Sequence, residues 1–347
     1  MKLTDEKGLG TVGRVIIIAL AAGFAYVLIR GLIANPVLFL QQIINGFQLG
    51  FVYALIALGY TMVYGIVRLI NFAHGDIFMI GAFTSYFMIS YWGVTKLKVL
   101  DVFGPTLGPI VGTGLVILIA MVVCASMAVV IERVAYKPLR AAPRISALIT
   151  AIGVSFFLEY FAALDFVFTS NYIIYERPFP VTVWHPIPGL SISNIMIIIV
   201  LTSIVFLLLL QYIVHYTKLG KAMRATSYDK PTSRLMGIDV DTVISFTFAL
   251  GAALAGAGGV LYAIAYPQLI VFMGIMPGLK AFVAAVLGGI GSIPGAFVGS
   301  LIMGQAEVMS AGYISTTMRD AIAFAILILV LIARPTGIFG EPEGQKV

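Results

Sequence analysis

Asp76, Glu159, Asp165, Glu307 and Arg319, inside or at the edges of long apolar stretches, are the candidate ionisable residues within membrane depth. A charge in hydrocarbon is costly, and where one occurs it belongs to a solute pathway, an ion pair or a helix end. Asp165 is expected near the outer end of its helix. Arg319-Asp320 is expected at a helix start, where an acid suits the positive dipole end and an arginine can reach the interface. Glu159 and Glu307 lie deeper, where a carboxylate serves either a break in the backbone or a solute. Asn71-Phe72-Ala73-His74-Gly75-Asp76 is a polar segment between two apolar stretches. There Asp76 can cap the helix running on through Ile77, Gly75 can supply the bend, and Asn71 and His74 can satisfy the preceding carbonyls. The same groups can touch a solute, and the two roles are compatible. A second break, Gly288-Gly289-Ile290-Gly291-Ser292-Ile293-Pro294-Gly295, can hardly continue as one straight helix and reads as a junction of two half-helices. Interrupted helices at matching places in two halves mark the central pathway of a transporter. Asn71, His74, Gly75, Asp76, Gly288, Gly289 and Gly291 are therefore the expected substrate pathway. The two breaks suggest a faint internal duplication, although their residues do not match well.

Other chemistries lack their residues. Gly8-Leu9-Gly10-Thr11-Val12-Gly13 fits GxGxxG but follows a polar tail and precedes an apolar helix, whereas a phosphate cradle needs a strand before it. No GxxxxGK[ST] occurs, so any ATP hydrolysis belongs to another polypeptide. His74, His185 and His215 are far apart, with no HExxH and no cysteine partners, and no metal site is expected. A GxSxG nucleophile elbow is also missing, so neither a catalytic residue nor a cofactor is assigned. The single cysteine, Cys124, excludes an intrachain disulfide.

The elements that hold these residues are membrane helices. Of 347 residues, 61% are apolar and 10% charged, against roughly 25% charged in a soluble domain. Apolar segments fall at about 14–33, 37–66, 77–91, 108–131, 145–168, 192–214, 241–265, 278–312 and 318–334. The expected fold is an all-α polytopic bundle of about 8–10 transmembrane helices with interrupted half-helices. It divides into a tail at 1–13, one membrane domain at 14–340 and a second tail at 341–347. Lys2, Lys7 and Arg14 before an apolar run resemble a signal peptide, but hydrophobicity continues to Ile33, which suits a retained first span.

Loop charges set the orientation. Arg133, Lys137, Arg140 and Arg144 lie in one loop and Lys218, Lys221, Arg224, Lys230 and Arg234 in another, at 215–241. Both are expected in the cytoplasm, while 169–191, with Arg177 its only cation, is expected outside as an interfacial cap. Both termini then fall inside. The net charge of +6 follows from this topology; no basic stripe with interleaved aromatics accompanies it, so no nucleic-acid partner is expected. Gly291, Gly295 and Gly299, like Gly46 and Gly50, recur every fourth residue, which permits close helix crossings within the subunit, the favoured reading, or at a dimer seam. In the loop 215–241, Lys218 to Thr226 can form a short helix, Tyr228-Asp229-Lys230-Pro231 a break, and Gly237 the end of a second short helix. Such a compact projection can be gripped by a soluble partner.

Four motifs, in order, resemble the LivH group of ABC importer permeases. Gly59-Tyr60-Thr61-Met62-Val63-Tyr64-Gly65 runs into Asn71 to Asp76 and then Gly81-Ala82, like the family's N-terminal signature. Gly220-Lys221-Ala222-Met223-Arg224-Ala225 with Gly237-Ile238 looks like its coupling loop. Leu287 to Ala296 and Arg334-Pro335-Thr336-Gly337-Ile338-Phe339-Gly340 resemble its C-terminal pattern. The resemblance covers about residues 37–340 and leaves the N-terminal extension outside. It implies a pore subunit in the bacterial inner membrane that carries branched-chain amino acids. The implied partners are a LivM-like permease, two ATP-binding subunits and a periplasmic amino-acid-binding protein. Gly220, Lys221, Arg224, Ala225, Asp229, Pro231 and Gly237 would then form the element that docks on the ATPase. Rival expectations are an ion-coupled transporter or channel, which broken half-helices also build, or an ABC permease for urea, an amide or another amino acid.

Overall fold

The computed structural model describes residues 11–340 apart from 141 and 335. Most of the expected N-terminal tail, with Gly8 and Gly10, lies outside the described residues, as do the tail at 341–347 and Pro335. The described chain is almost entirely helical: α1 (Thr11–Ala34), α2 (Pro36–Val67), α3 (His74–Ser90), α4 (Gly104–Ile131), α5 (Arg144–Ala162), α6 (Asn194–Tyr216), α7 (Lys218–Tyr228), α8 (Lys230–Leu235), α9 (Val240–Ala265), α10 (Ile275–Gly288), α11 (Ile293–Tyr313) and α12 (Arg319–Ala333). Among the described residues, five stretches are long and apolar enough to cross a membrane: Pro36–Val67, Leu107–Leu139, Ile145–Ala162, Asn194–Tyr216 and Val240–Ala265. This is an all-α polytopic membrane protein.

Local chemistry sets the helix ends. Asn35 caps α2, its side chain accepting from the Leu38 N–H at 3.0 Å, and Pro36 follows where a missing N–H costs nothing. Ser193 caps α6 in the same way. α5 stops at Ala162, short of the expected 168, because the chain turns and the Phe168 N–H returns to the Ala162 carbonyl at 3.1 Å. Asp165 thus lies beyond the helix and accepts from Thr169 Oγ1 at 3.3 Å.

The core is built on α2, α3 and α9, with α4 against α3 and α9 and α11 against α2. Small residues allow the α2–α11 crossing: a Cβ on Gly304 would lie 2.5 Å from Gly50 Cα, and one on Gly50 2.9 Å from Leu301 Cα. The small-residue stripes therefore pack helices within this chain.

The two basic loops meet on one face. Arg140 donates to Asp241 at 2.6 Å and Lys137 lies 2.9 Å from the same carboxylate. Glu132, fully buried, pairs with Arg140 and accepts from the Ser245 hydroxyl at 2.7 Å. On the opposite face, β1 (Ile173–Ile174) pairs with β4 (Gln268–Leu269) and β2 (Val183–Trp184) with β3 (Ile192–Ser193). Arg177 there donates to the Ile264 and Ala265 carbonyls at 2.9 and 3.3 Å, so this cation serves the negative end of α9.

The stretch 278–312 breaks where expected, but into one short helix and one full one. α10 has 14 residues and α11 has 21, joined by a hairpin in which Gly289 and Gly291 adopt φ of 105° and 96°. A side chain strains such a backbone, which is why two glycines sit here. The carbonyls left open at the end of α10 are taken by the C-terminal segment, Ile338 N–H to Leu287 at 3.0 Å and Phe339 N–H to Gly288 at 2.9 Å. Gly295 and Gly299 then cross against Gly288 and Ala284. Gly291 does not share that contact and acts through its φ.

Candidate translocation site

Two helices begin inside the bundle and run apart. The first turns of α3 and α10 touch: a Cβ on Gly278 would lie 2.8 Å from Gly75 Cα. From that junction α10 runs to the basic face, where a Cβ on Gly65 of α2 would come 3.2 Å from Gly291 Cα, while α3 runs to the opposite face. A cavity of about 80 Å³ lies at the junction, lined among others by Tyr60, Phe72, Asp76, Ser155, Glu159 and Phe282. Two helix N-termini supply N–H dipoles, two carboxyl groups supply oxygen acceptors, and three aromatic rings supply apolar wall.

Asp76 does not cap α3 as the sequence suggests. The helix begins at His74, whose N–H bonds the Asn71 carbonyl at 3.2 Å, so Asp76 falls within its first turn. Its carboxylate accepts from the Ser155 hydroxyl at 2.6 Å. Asn71 and His74 are buried and brace the break. Asn71 accepts from the Tyr136 hydroxyl at 2.7 Å, and His74 Nε2 is 3.2 Å from the Ile56 carbonyl. The His74 ring packs edge-on against Tyr60, 4.5 Å between centroids. Gly75 sits at the helix crossing itself. Gly288, Gly289 and Gly291 do not join this group. They lie at the far end of α10, which at 14 residues is about 21 Å long; its near end, Gly274 to Gly278, is what faces Gly75. The reason is geometric: the hairpin glycines reverse the chain at the basic face, and the interruption that opens the bundle falls earlier, before Ile275.

Four residues escaped the sequence reading. Ser155 lies four positions before Glu159 and so shares its helix face, a signal that was available. Tyr60 stood in the Gly59 to Gly65 motif but was given no role, and Tyr136 had no signal, because an aromatic in a membrane helix is ordinarily packing. Lys280, inside an apolar segment, should have stood out. Buried at 3% exposure, it lies 2.7 Å from Glu307 on α11 and 2.6 Å from Asp320 on α12. Arg319 closes the cluster at 3.6 Å from Glu307, and Tyr53 donates to Glu307 at 2.8 Å. Lys280 points away from the cavity, toward α11 and α12, so one face of α10 lines the site while the other is clamped.

On the basic face, α7 and α8 form a compact projection. Thr217 caps α7, accepting from the Gly220 N–H at 3.0 Å, and Asp229 caps α8, accepting from the Thr232 N–H at 3.1 Å with Pro231 in the first turn. Gly220 sits in the tight turn from α6, where a Cβ would collide with the Ile213 and Val214 carbonyls. Arg224 donates back to Val214 at 2.7 Å, and Lys221 is exposed. α8 ends with Gly237 at φ 80°, its N–H bonded to Arg234 at 3.0 Å and the Ile238 N–H to Ser233 at 3.0 Å, a paired closure of the helix end. Lys230 reaches the Val67 carbonyl at 3.3 Å, and burial, then the Arg140 and Arg68 charges, lower its pKa from the usual lysine value.

The chain thus has two basic loops on one face, an interrupted helix pair at its centre and a two-helix projection, and similarity to known proteins shows the family it belongs to. The family described as "Branched-chain amino acid transport system / permease component" matches residues 42–331. The chain belongs to this permease family. It is 42% identical over 319 residues to the high-affinity branched-chain amino acid transport system permease protein LivH of Escherichia coli, covering 89% of this chain and 98% of the relative. It is 38% identical over 318 residues to the corresponding BraD protein of Pseudomonas aeruginosa, with the same coverage. A weaker relative, 25% identical over 273 residues and covering 72% of this chain and 74% of its own length, is the inner membrane ABC transporter permease protein YjfF of Escherichia coli. No solved structure matches the chain. Members of this family are transport permeases, and this permease is a multi-pass membrane protein.

Proposed function

We propose that this permease forms part of the translocation pathway of an ATP-driven importer for leucine, isoleucine and valine, working by alternating access. The observation that carries the reading is the α3–α10 junction in a chain whose relatives are branched-chain amino acid permeases. Asp76 and Glu159 suit the ammonium of an amino acid, the N-termini of α3 and α10 suit its carboxylate, and Phe72 and Phe282 suit its aliphatic side chain. At about 80 Å³ the cavity is closed to a whole amino acid, since ligand pockets run to roughly 300–1,000 Å³. Opening it requires a wall to move. α5 carries Ser155 and Glu159, is mostly exposed, and touches the core chiefly through α3 and the 132–136 segment.

ATP is hydrolysed on two separate subunits, and a LivM-like permease and a periplasmic binding protein complete the assembly. The chain sits in the bacterial inner membrane with its basic face and both ends of the domain in the cytoplasm. The α7–α8 projection, from Gly220, Lys221, Arg224 and Ala225 through Asp229 and Pro231 to Gly237, docks on an ATPase. Its exposed apolar side chains Tyr228, Leu235 and Met236, at 81%, 88% and 78%, give that contact its grip.

Uptake of labelled leucine into vesicles holding the assembled transporter tests the reading. Uptake that stops on ATP depletion and survives an uncoupler supports it, as does loss of uptake in Asp76→Asn at normal abundance. Uptake abolished by the uncoupler alone makes the chain an ion-coupled transporter.

A further inference from the structure

A second, larger cavity lies between α2 and α11 near the face opposite the basic loops. It measures about 430 Å³ and is lined by Gln42, Asn45 and Gln48 of α2, Tyr266, and Val308 and Gly312 among the residues of α11. We propose that this cavity is an entry subsite that holds the head group of an amino-acid zwitterion before it reaches the α3–α10 junction; this rests on the importer reading above.

Size is the first argument. The junction cavity at about 80 Å³ is too small for an amino acid, whereas about 430 Å³ falls in the range of ligand pockets, roughly 300–1,000 Å³. Chemistry is the second. The three carboxamides lie at i, i+3 and i+6, on one side of α2; Asn45 Oδ1 accepts from Gln41 Nε2 at 3.0 Å and leaves its amide N–H groups to the cavity, while Gln42 and Gln48 each offer both donors and an acceptor. No lining residue is charged, so the site can face an ammonium and a carboxylate together without favouring a net cation or anion.

The third argument is what two of these amides, Gln42 and Gln48, do not do. Gln41, next to them, is structural: it accepts from the Ser191 N–H at 2.8 Å and donates to the Ser191 carbonyl at 3.1 Å. Gln305 likewise donates to the Ile43 carbonyl at 2.8 Å. Gln42 and Gln48 make no hydrogen bond to any of the described residues. Gln48 is the thirteenth residue of α2, so it lies about 18 Å along that helix, a depth at which an unpaired amide facing lipid would be costly. Gly312 leaves the room: a Cβ there would sit 3.2 Å from the Gln42 carboxamide carbon. One to two turns farther along α2, Tyr53 bonds Glu307, the neighbour of Val308, and marks the floor.

The test uses the assembled transporter in vesicles with its binding protein. Gln48→Cys places a thiol in the cavity, and Cys124, the chain's natural thiol, is fully buried. Leucine-loaded binding protein should slow maleimide labelling of Gln48→Cys several-fold relative to empty binding protein. Gln42→Leu/Gln48→Leu should raise the concentration of loaded binding protein needed for half-maximal uptake about five- to tenfold, with the maximal rate little changed. If the double variant fails to assemble, Gln42→Cys labelling decides in its place. Equal labelling with loaded and empty binding protein, or an unchanged half-maximal concentration, overturns the entry subsite while wild-type uptake still supports the importer. Absence of ATP-driven leucine uptake in the wild type overturns both.

Discussion

Removing the Lys280 ammonium should destabilise this permease more than removing its ion pair. Lys280 bridges Glu307 at 2.7 Å and Asp320 at 2.6 Å, with side-chain exposures of 3%, 4% and 32%. In Lys280→Met the volume is nearly kept, but two carboxylates remain with only Arg319, at 3.6 and 3.5 Å and half in the open, to answer them. Breaking a buried pair from one side costs about 3–5 kcal/mol because a charge is left without a partner. Against a total stability of about 5–15 kcal/mol, that is a large share. Lys280→Met/Glu307→Gln restores neutrality: Arg319 stays with Asp320, and the Tyr53 hydroxyl, now donating at 2.8 Å to Glu307, can donate to the new amide. Replacing both partners of a buried pair is often close to neutral, so the double variant should recover to within about 1–2 kcal/mol of the wild type. Equilibrium unfolding of the purified permease in micelles, followed by circular dichroism, measures both. A Lys280→Met variant within about 1 kcal/mol of wild type, or a double variant no better than the single, refutes the buried-charge argument.

Gly237→Pro should insert at normal levels yet lose leucine uptake and the stimulation of ATPase activity by loaded binding protein, because Pro removes the N–H bonded to Arg234 at 3.0 Å and cannot adopt φ 80°. Lys218→Gln in the same projection should change either activity little, since an exposed charge there contributes at most about 1 kcal/mol. Gly295→Leu should sharply reduce the yield of assembled protein, because a Cβ already lies 3.0 Å from the Gly288 carbonyl carbon. Gly291→Ala should cost only the positive-φ strain, about 1–2 kcal/mol, and leave the yield near normal. An impermeant thiol reagent added to intact cells should label Trp184→Cys and not Ser227→Cys; the reverse pattern would invert the orientation.

Helix positions were legible because each span must satisfy its own backbone in lipid, and that demand writes a long apolar run into the sequence. The α7–α8 projection was legible for the opposite reason: Thr217, Asp229, Pro231 and Gly237 are cap and turn residues whose local chemistry needs no tertiary context. The α3–α10 junction was only half legible. Asn71 to Asp76 announces a break by its polarity, but the break that faces it, before Ile275, is written in ordinary apolar and small residues, Val271-Phe272-Met273-Gly274. The louder glycine run at Gly288 to Gly291 is a hairpin about 21 Å away. Glycine marks both a chain reversal and a close helix approach, and only packing separates the two. The Ser155–Asp76 bond and the Lys280 cluster join residues distant in sequence, which no local pattern records.

α10 touches both ends of the problem. Its first turn crosses Gly75 beside the junction cavity, and its last turn is tied to the C-terminal segment and sits by Gly65 at the end of α2. Lys230 of α8 donates to the Val67 carbonyl, two residues from Gly65, so the α7–α8 projection is bonded to the end of α2 that meets the α10–α11 hairpin. A displacement of that projection therefore has a short route, one hydrogen bond and one close backbone approach, to a helix of 14 residues whose other end forms the cavity wall. The clamp on the far face of α10 ties it to α11 and α12 through charge, so the strut moves with those helices or must break a buried pair. One double variant separates these alternatives. If α10 moves with its neighbours, Lys280→Met/Glu307→Gln should keep ATP-driven uptake. If it must slide past them, the same variant should raise uncoupled ATPase activity while uptake falls.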